Sequence, residues 1–543
     1  MSGLQNKYSE ICPAEHRPEL RFDGPALDYP EHMNAVAAVL EGALERGWGE
    51  RTAYFCGDRV FTFADVHIAV HRYSAALRNC SVEPGDFVVL RMPDQFELVA
   101  VLLAVQAIGA IAIPTYVQLR ADDLAYRVED TGARFIVCTN ALRDEAETVV
   151  TRRTDVKLLL LEHDPAGQFG SLADNLPAGA VEPRYEDTHA EALCLLLYTS
   201  GSTGAPKGTC HCHRDMLAIA DSYWRSALAP NADDVVAGPP SIAFAMGFGL
   251  FVYFPLRLGH AAALDADKSP QRALQTIAAR RVTIFIGVVS YFNVLARLIE
   301  DTAPDISSLR HVLTGGEPLT AEAERRWAEV THCPLEQFIG TTEMLHIFVT
   351  VSDPNAVSVD TSTLGKVVQG YEVEVLDTNT LTPVPNGQEG LLGVRGPTGT
   401  VYWSKPEQQA RIIANGWNVF QDLVKRDEEG RIEYLARYDE VIVSSGYNIS
   451  PVDVENVLMR HPAIIECACV PAPDPSGQRS AIVKAIVVAE ADVQPDDALV
   501  SELQDFVKAN APPYMYPRAI EFIDALPKTI NGKIKRSELR RRS

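Results

Sequence analysis

Leu195-Leu196-Leu197-Tyr198-Thr199-Ser200-Gly201-Ser202-Thr203-Gly204-Ala205-Pro206-Lys207-Gly208 is the stretch on which the reading of this chain turns. The apolar run Leu193 to Leu197 predicts a buried strand that enters a loop of hydroxyl residues, glycines, a proline and a lysine. Glycines let backbone N–H groups turn towards an anion, Ser and Thr add donors, and Lys adds a mobile positive charge. These are the parts of a phosphate cradle. The Walker A pattern fails, because Lys207 follows Pro206 and precedes Gly208 instead of sitting in Gly-Lys-Ser/Thr. A solvated Gly/Ser loop after a strand is the other reading these residues alone allow.

Bulk properties narrow the class. A chain of 543 residues is too long for one core, and about two to four domains are expected. With 49 basic and 72 acidic residues the net charge is −23, which argues against a nucleic-acid surface and for anionic ligands met by local positive charge. Met1 to Leu20 has scattered charges and no apolar core, so no signal peptide is expected there. The most membrane-like stretch, Leu98 to Pro114, is too short to span and contains Gln106 and Gly109; it predicts a buried helix running into a strand. Ten cysteines fit reduced cytoplasmic thiols better than a disulfide framework. Cys210-His211-Cys212-His213 looks metal-like but has the wrong spacing, since neighbours point apart and no second pair follows.

Along the chain, Met1 to Pro30 reads as a polar arm on the surface, and Tyr54-Phe55 and Val60-Phe61-Thr62 as a hairpin about Gly57-Asp58. Helices are expected at Phe63–Asn79, Gln95–Gly109, Asp122–Thr131, Met216–Leu228, Pro270–Arg280, Val288–Ile299 and Glu322–Thr331. Strands are expected at Asp86–Arg91, Ala110–Pro114, Phe135–Thr139, Val282–Gly287, Leu309–Thr314 and Leu335–Ile339. This alternation means parallel sheets with crossover helices. From about Leu364 a smaller strand-rich part begins, and the segment after Arg437-Tyr438-Asp439-Glu440 has the size of a small β-α-β-rich domain.

Four segments now line up: the opening stretch, Thr314-Gly315-Gly316-Glu317-Pro318-Leu319, Gly340-Thr341-Thr342-Glu343, and Pro527-Lys528-Thr529-Ile530-Asn531-Gly532-Lys533-Ile534-Lys535-Arg536. In order and spacing the chain resembles the adenylate-forming superfamily of acyl-CoA synthetases, peptide-synthetase adenylation domains and luciferases, over nearly its whole length. Ile339 and Gly340 to Phe348 look most like the aryl-CoA ligases, and Val443-Ser444-Ser445-Gly446-Tyr447-Asn448-Ile449-Ser450-Pro451 like 2-aminobenzoate-CoA ligases. Benzoate ligases tend to carry Lys where this chain has Val443.

The resemblance implies an α/β fold. A large N-terminal domain, residues 1–438, would hold two α/β subdomains with parallel sheets and a distorted β-barrel-like subdomain; a small mobile α+β domain, residues 439–543, would turn about Asp439. It implies an acid–thiol ligase: an acid attacks the α-phosphate of ATP, giving an acyl-adenylate and pyrophosphate, and the CoA thiol then expels AMP. In that scheme Thr199, Ser200, Gly201, Ser202, Thr203, Gly204 and Lys207 hold the outer phosphates. Glu343 holds Mg²⁺, and Lys533 reaches the α-phosphate and the carboxylate. Gly315, Gly316 and Glu317 lie along the adenine with Gly340, Thr341 and Thr342 nearby; Asp422 accepts from the ribose with Arg437 beside it, and Gly446 lines the CoA tunnel. Gln421 stands where the family has glycine, which leaves the local backbone open. Phe244, Ala245, Met246, Gly247, Gly340, Leu345, His346 and Ile347 would line a flat slot suited to a single ring.

The expected reaction is therefore AMP-forming activation of an aromatic acid, 2-aminobenzoate (anthranilate) first, with ATP, Mg²⁺ and coenzyme A, in the cytoplasm and without nucleic acid or membrane. Benzoate, cyclohexanecarboxylate, a carrier-protein thiol as acceptor, and a homodimer stay open. So does a non-catalytic nucleotide-binding protein, against which Lys207, Glu343 and Lys533 together speak.

Overall fold

The computed structural model describes residues 7–23, 27–164, 166–199, 205–317, 319, 321–353, 363–444, 447–475, 481–491, 493–528 and 534–542. Two large sheets dominate. One has seven strands, with Gly170–Ser171, Lys157–Leu160, Phe135–Cys138, Phe87–Arg91, Ile111–Pro114 and Leu193–Thr199 parallel in that order and Lys207–Cys212 antiparallel at the edge. The other has nine. Its parallel core runs Leu335–Gly340, His311–Gly315, Ile284–Gly287, Val235–Ala237, Ala261–Leu264 and Thr52–Cys56. Antiparallel strands close both flanks: Ile347–Thr350 and Lys366–Val367 at one, Arg59–Thr62 at the other.

Phe87–Arg91, Ile111–Pro114 and Phe135–Cys138 are buried at every residue, as strands covered by helices on both faces must be. The helix Phe96–Ala107 is buried at eleven of its twelve positions, all but Glu97, so it needs no polar face and forms the centre of the core shared by the two sheets. Thr62 starts the helix Phe63–Asn79 through a capping box with Asp65.

The strand-rich part is a five-stranded antiparallel sheet. In it Glu372–Leu376, Glu389–Arg395 and Trp417–Arg426 pair in sequence, and Trp417–Arg426 also pairs with Ile413–Ala414 and Ile432–Arg437. Beyond it lie the pair Ile442–Ser444 and Tyr447–Ile449 and a three-stranded sheet of Ile464–Ala472, Ile482–Ala489 and Ala519–Phe522, with the helices Pro451–Leu458, Asp497–Asn510 and Arg536–Arg541.

Two expectations are corrected, and one strand that the sequence reading did not assign is added. Lys207–Cys212 is a strand that pairs antiparallel with Leu193–Thr199. The helix expected at Met216–Leu228 is α-helical over His213–Ile219 and then widens to i→i+5 turns over Ala220–Leu228. The N-terminal arm is more than a surface strap: Tyr8 is buried, and its hydroxyl lies 2.7 Å from Asp215 Oδ2 and 2.5 Å from the Cys210 carbonyl oxygen, with one proton to share between the two acceptors. A ring with a satisfied hydroxyl gains more inside than on the surface. All ten cysteines are free thiols, nine of them buried. Among the described residues no helix is long and apolar enough to cross a membrane.

Candidate active site

The strands His311–Gly315 and Leu335–Gly340 are parallel neighbours, and their carboxyl ends lie side by side. Ligands of α/β folds sit beyond such carboxyl ends. A Cβ on Gly315 would lie 2.4 Å from the Phe338 ring, and one on Gly340 2.7 Å from the His346 carbonyl oxygen, so close packing requires glycine at both. Gly316 turns the chain at φ +80°. Glu317 then accepts the Ser290 N–H at 2.9 Å and the Ser290 hydroxyl at 3.3 Å, which ties this turn to the first turn of the helix Val289–Thr302.

Thr199 ends its strand opposite Lys207, and the Thr199 hydroxyl oxygen is buried without a partner among the described residues. Ser200, Gly201, Ser202, Thr203 and Gly204 lie outside the described residues, as do Gly446 and Lys533. Lys207 Nζ donates to the Tyr402 hydroxyl at 3.3 Å and lies 4.5 Å from the centre of that ring. The Tyr402 hydroxyl in turn donates to Glu343 Oε1 at 2.7 Å. One buried phenol thus joins the lysine of the glycine hairpin to the carboxylate expected to hold a metal. Burial, then the Glu343 charge beside it, pushes this phenol far above its ordinary range, so it stays a donor. Tyr402 is held in place because 401–403 run along the free edge of Lys207–Cys212: Cys210 N–H donates to Val401 O and Trp403 N–H to Gly208 O, each at 2.8 Å. The sequence reading missed Tyr402, since nothing local marks one tyrosine in Thr400-Val401-Tyr402-Trp403.

After Glu343 the chain makes a strained turn. Thr341 Oγ1 accepts the Met344 N–H at 3.1 Å, Thr342 O accepts the Leu345 N–H at 3.0 Å, and Leu345 adopts φ +64°. A non-glycine residue there costs roughly 1–3 kcal/mol, a kind of strain that clusters at functional sites. His346 follows, 3% exposed; the Met246 backbone approaches its ring outside good hydrogen-bond geometry, and no closer partner stands among the described residues. Burial pushes its imidazole down to about 3, so it is neutral. Tyr223 stacks on it with ring centres 5.9 Å apart, and Phe254 meets it edge-on at 4.4 Å. Room for the ring comes from Gly249, where a Cβ would lie 2.4 Å from His346 Cδ2. Tyr223 and Gly249 both belong to the wide i→i+5 turns.

Of the expected slot residues, Phe244 and Met246 are half-buried, whereas Ala245, Gly247, Leu345 and Ile347 are buried. Gly247 has a packing reason of its own: a Cβ would lie 2.2 Å from the Ser241 carbonyl oxygen. Asp94 fixes that approach by accepting the Ser241 hydroxyl and the Ile242 N–H, each at 3.1 Å. Tyr116 faces Phe244 at 5.6 Å. On the strand-rich side Asp422 pairs with Arg437 in register, their side chains 3.4 Å apart, and Arg437 Nε also donates to Asp439 at 3.2 Å. Burial opposes the Arg437 charge, but the two carboxylates hold its pKa above the usual value. Gln421 is exposed on the same strand and leaves the Asp422–Arg437 pairing undisturbed. Asp439 lies in a short turn whose carbonyl accepts Arg540 at 2.7 Å.

The sequence profile of AMP-binding enzymes matches residues 42–403, and that of the AMP-binding enzyme C-terminal domain matches 453–533. The chain belongs to the AMP-binding enzyme family. It is an adenylate-forming ligase with aryl-CoA ligases among its relatives. It is 32% identical over 527 residues to the benzoate–CoA ligase of Thauera aromatica, an alignment covering 95% of this chain and 97% of that one. Its fold superposes on the anthranilate CoA ligase AuaEII in complex with anthranoyl-AMP with a TM-score of 0.87, at 29% identity, over 95% of this chain and 98% of that one. A benzoate CoA ligase from Burkholderia xenovorans LB400 gives 0.82 at 29% identity, over 94% of this chain and all of that one. The expected α/β architecture and acid–thiol ligase class hold with these relatives.

Proposed function

We propose that this enzyme joins an aromatic carboxylic acid to coenzyme A through an acyl-adenylate, and that the acid is 2-aminobenzoate. The observation that carries the reading is His346: a neutral imidazole without a well-formed hydrogen bond among the described residues, walled by Tyr223 and Phe254, three residues after Glu343. An aromatic wall suits a single ring, and an unpaired nitrogen accepts an N–H such as a ring amino group would supply. Benzoate and cyclohexanecarboxylate offer no such donor and would leave the imidazole unpaired. A benzoate ligase and an anthranilate ligase among the relatives support a ring acid in general.

Adenylation brings two anions together, so charge must be neutralised at the transition state. Lys207 and the loop beginning at Thr199 would hold the β- and γ-phosphates, with Tyr402 setting the position of the ammonium. Glu343 is half-buried and, among the described residues, bonded to Tyr402 alone. A carboxylate with coordination sites to spare fits Mg²⁺, which when bound would offset phosphate charge. The 315–317 turn would lie along the base, and Asp422, steadied by Arg437, would accept the ribose hydroxyls. Lys533 would supply the charge at the α-phosphate and then leave, as residues 439–543 turn about Asp439, before the thiol enters beside Gly446. Ten free thiols fit a cytoplasmic setting.

Lys533→Ala tests this division of labour. ATP–pyrophosphate exchange should be abolished, while thioester formation from synthetic acyl-adenylate is spared. Equal loss of both half-reactions would sink the assignment.

A further inference from the structure

Outside the active site one group of side chains has the composition of a metal centre. The helix Phe63–Asn79 carries His67 and His71, four residues apart and therefore on one face. The helix Ala35–Glu45 packs against it and carries Glu41. One ligand atom from each of the three lies within 4.8 Å of the other two, the only such group among the described residues. His67 Nε2 is 2.9 Å from Glu41 Oε1, and the imidazoles meet edge-on with centres 4.5 Å apart. A fourth donor, the Tyr185 hydroxyl, donates to Glu41 Oε1 at 2.7 Å and lies 3.0 Å from His71 Nε2.

We propose that Glu41, His67 and His71 form a binding site for a divalent transition ion, Zn²⁺ by the chemistry of the donors, with the Tyr185 hydroxyl or a water completing four-coordination. Two imidazoles four apart on a helix with a carboxylate from a neighbouring element is a donor set that zinc takes up tetrahedrally, at about 2.0–2.2 Å from each ligand. Ligands at that distance stand about 3.3–3.6 Å from one another in a tetrahedron, so the 2.9 Å His67–Glu41 pair would open slightly and the wider separations, all within 4.8 Å, would close. With the ring protons on Nδ1, both Nε2 lone pairs are free to ligate. His71 is 2% exposed, so its ring is held in place by the surrounding core. His67 and Glu41 are partly exposed, with side chains 14% and 39% accessible, which gives the ion an entry path. Bound there, it would clamp the two helices to the segment carrying Tyr185. The Cys210–His213 run is not this site: its side chains are buried in and just after an edge strand.

The test is titration of the chelator-stripped full-length enzyme with Zn²⁺ alone, followed by calorimetry, and with Co²⁺, followed by visible absorption. One ion per chain should bind, with the intense bands of a tetrahedral Co²⁺ site, and affinity should fall at least tenfold in both His67→Gln and Glu41→Gln. ATP–pyrophosphate exchange should stay within twofold in those variants, reporting that they fold. Absence of one-to-one binding to the wild-type chain would overturn the proposal. So would unchanged affinity in folded variants, or a weak octahedral Co²⁺ spectrum, which needs no variant to fold.

Discussion

Tyr402→Phe removes one oxygen atom and little else, because the ring stays packed and Lys207 keeps its place over the ring face, 4.5 Å from the centre. Two interactions are lost: the donation to Glu343 at 2.7 Å and the acceptance from Lys207 at 3.3 Å. Both involve a charged partner, a class worth about 1.5–3 kcal/mol each. The longer Lys207 contact adds little beyond the cation–π attraction that remains, and Glu343 is half-exposed, so water recovers part of the loss. Counting the Glu343 bond alone, transition-state stabilisation should fall by about 1.5–3 kcal/mol, which is roughly a tenfold to hundredfold loss of rate. The assay is ATP–pyrophosphate exchange at saturating acid, beside thioester formation from synthetic acyl-adenylate. Exchange should fall by that factor, and the thiol step, which needs neither outer phosphates nor a metal, should change less than threefold. Exchange within twofold of wild type would refute the reasoning, since the Lys207–Tyr402–Glu343 chain would then carry no catalytic load.

Gly249→Ala places a Cβ 2.4 Å from His346, a ring boxed by Tyr223 and Phe254, and overpacking of this kind costs about 1–3 kcal/mol. KM for the aromatic acid should rise at least fivefold, with KM for ATP unchanged, in steady-state kinetics. Stability should fall as the pH drops. The folded-state pKa of His71 and His260 is lowered to about 4, and that of His211, His213 and His346 to about 3, in each case chiefly by burial. A depressed histidine pKa means that the unfolded chain binds more protons, so stability from these groups is greatest above the unfolded pKa of about 6.5 and declines below it towards about pH 3. Calorimetry should show net proton uptake on unfolding at pH 5 and a lower Tm than at pH 7.5; proton release would contradict it.

Much of the fold was legible because its central strands are covered on both faces. Continuous apolar runs such as Phe87–Leu90 and Phe135–Cys138, separated by helical spacings, leave little freedom except a parallel sheet with crossovers. The hairpin return Lys207–Cys212 was hidden because its alternation is written in Gly, Cys and His, residues that carry no clear period-two signal although all but Lys207 are buried. The candidate site was legible where chemistry depends on a local run, as in Gly315-Gly316-Glu317 or Gly340 to Glu343. It was illegible where three distant segments supply one contact. Lys207, Glu343 and Tyr402 are joined only by pairing of 401–403 with the far edge of the hairpin. Gly247 and Gly340 read as the lining of a slot, yet each answers first to packing, against Ser241 and His346. The group Glu41, His67 and His71 escaped the sequence reading because one ligand comes from another helix.

The most direct test of the account is CoA-thioester formation by the purified enzyme with ATP, Mg²⁺ and CoA across 2-aminobenzoate, benzoate, hydroxybenzoates, cyclohexanecarboxylate and long-chain fatty acids, with products identified by mass. The highest kcat/KM is predicted for 2-aminobenzoate, giving 2-aminobenzoyl-CoA, AMP and pyrophosphate in equal amounts. Preference for long-chain fatty acids, or no thioester with any ring acid, would contradict it.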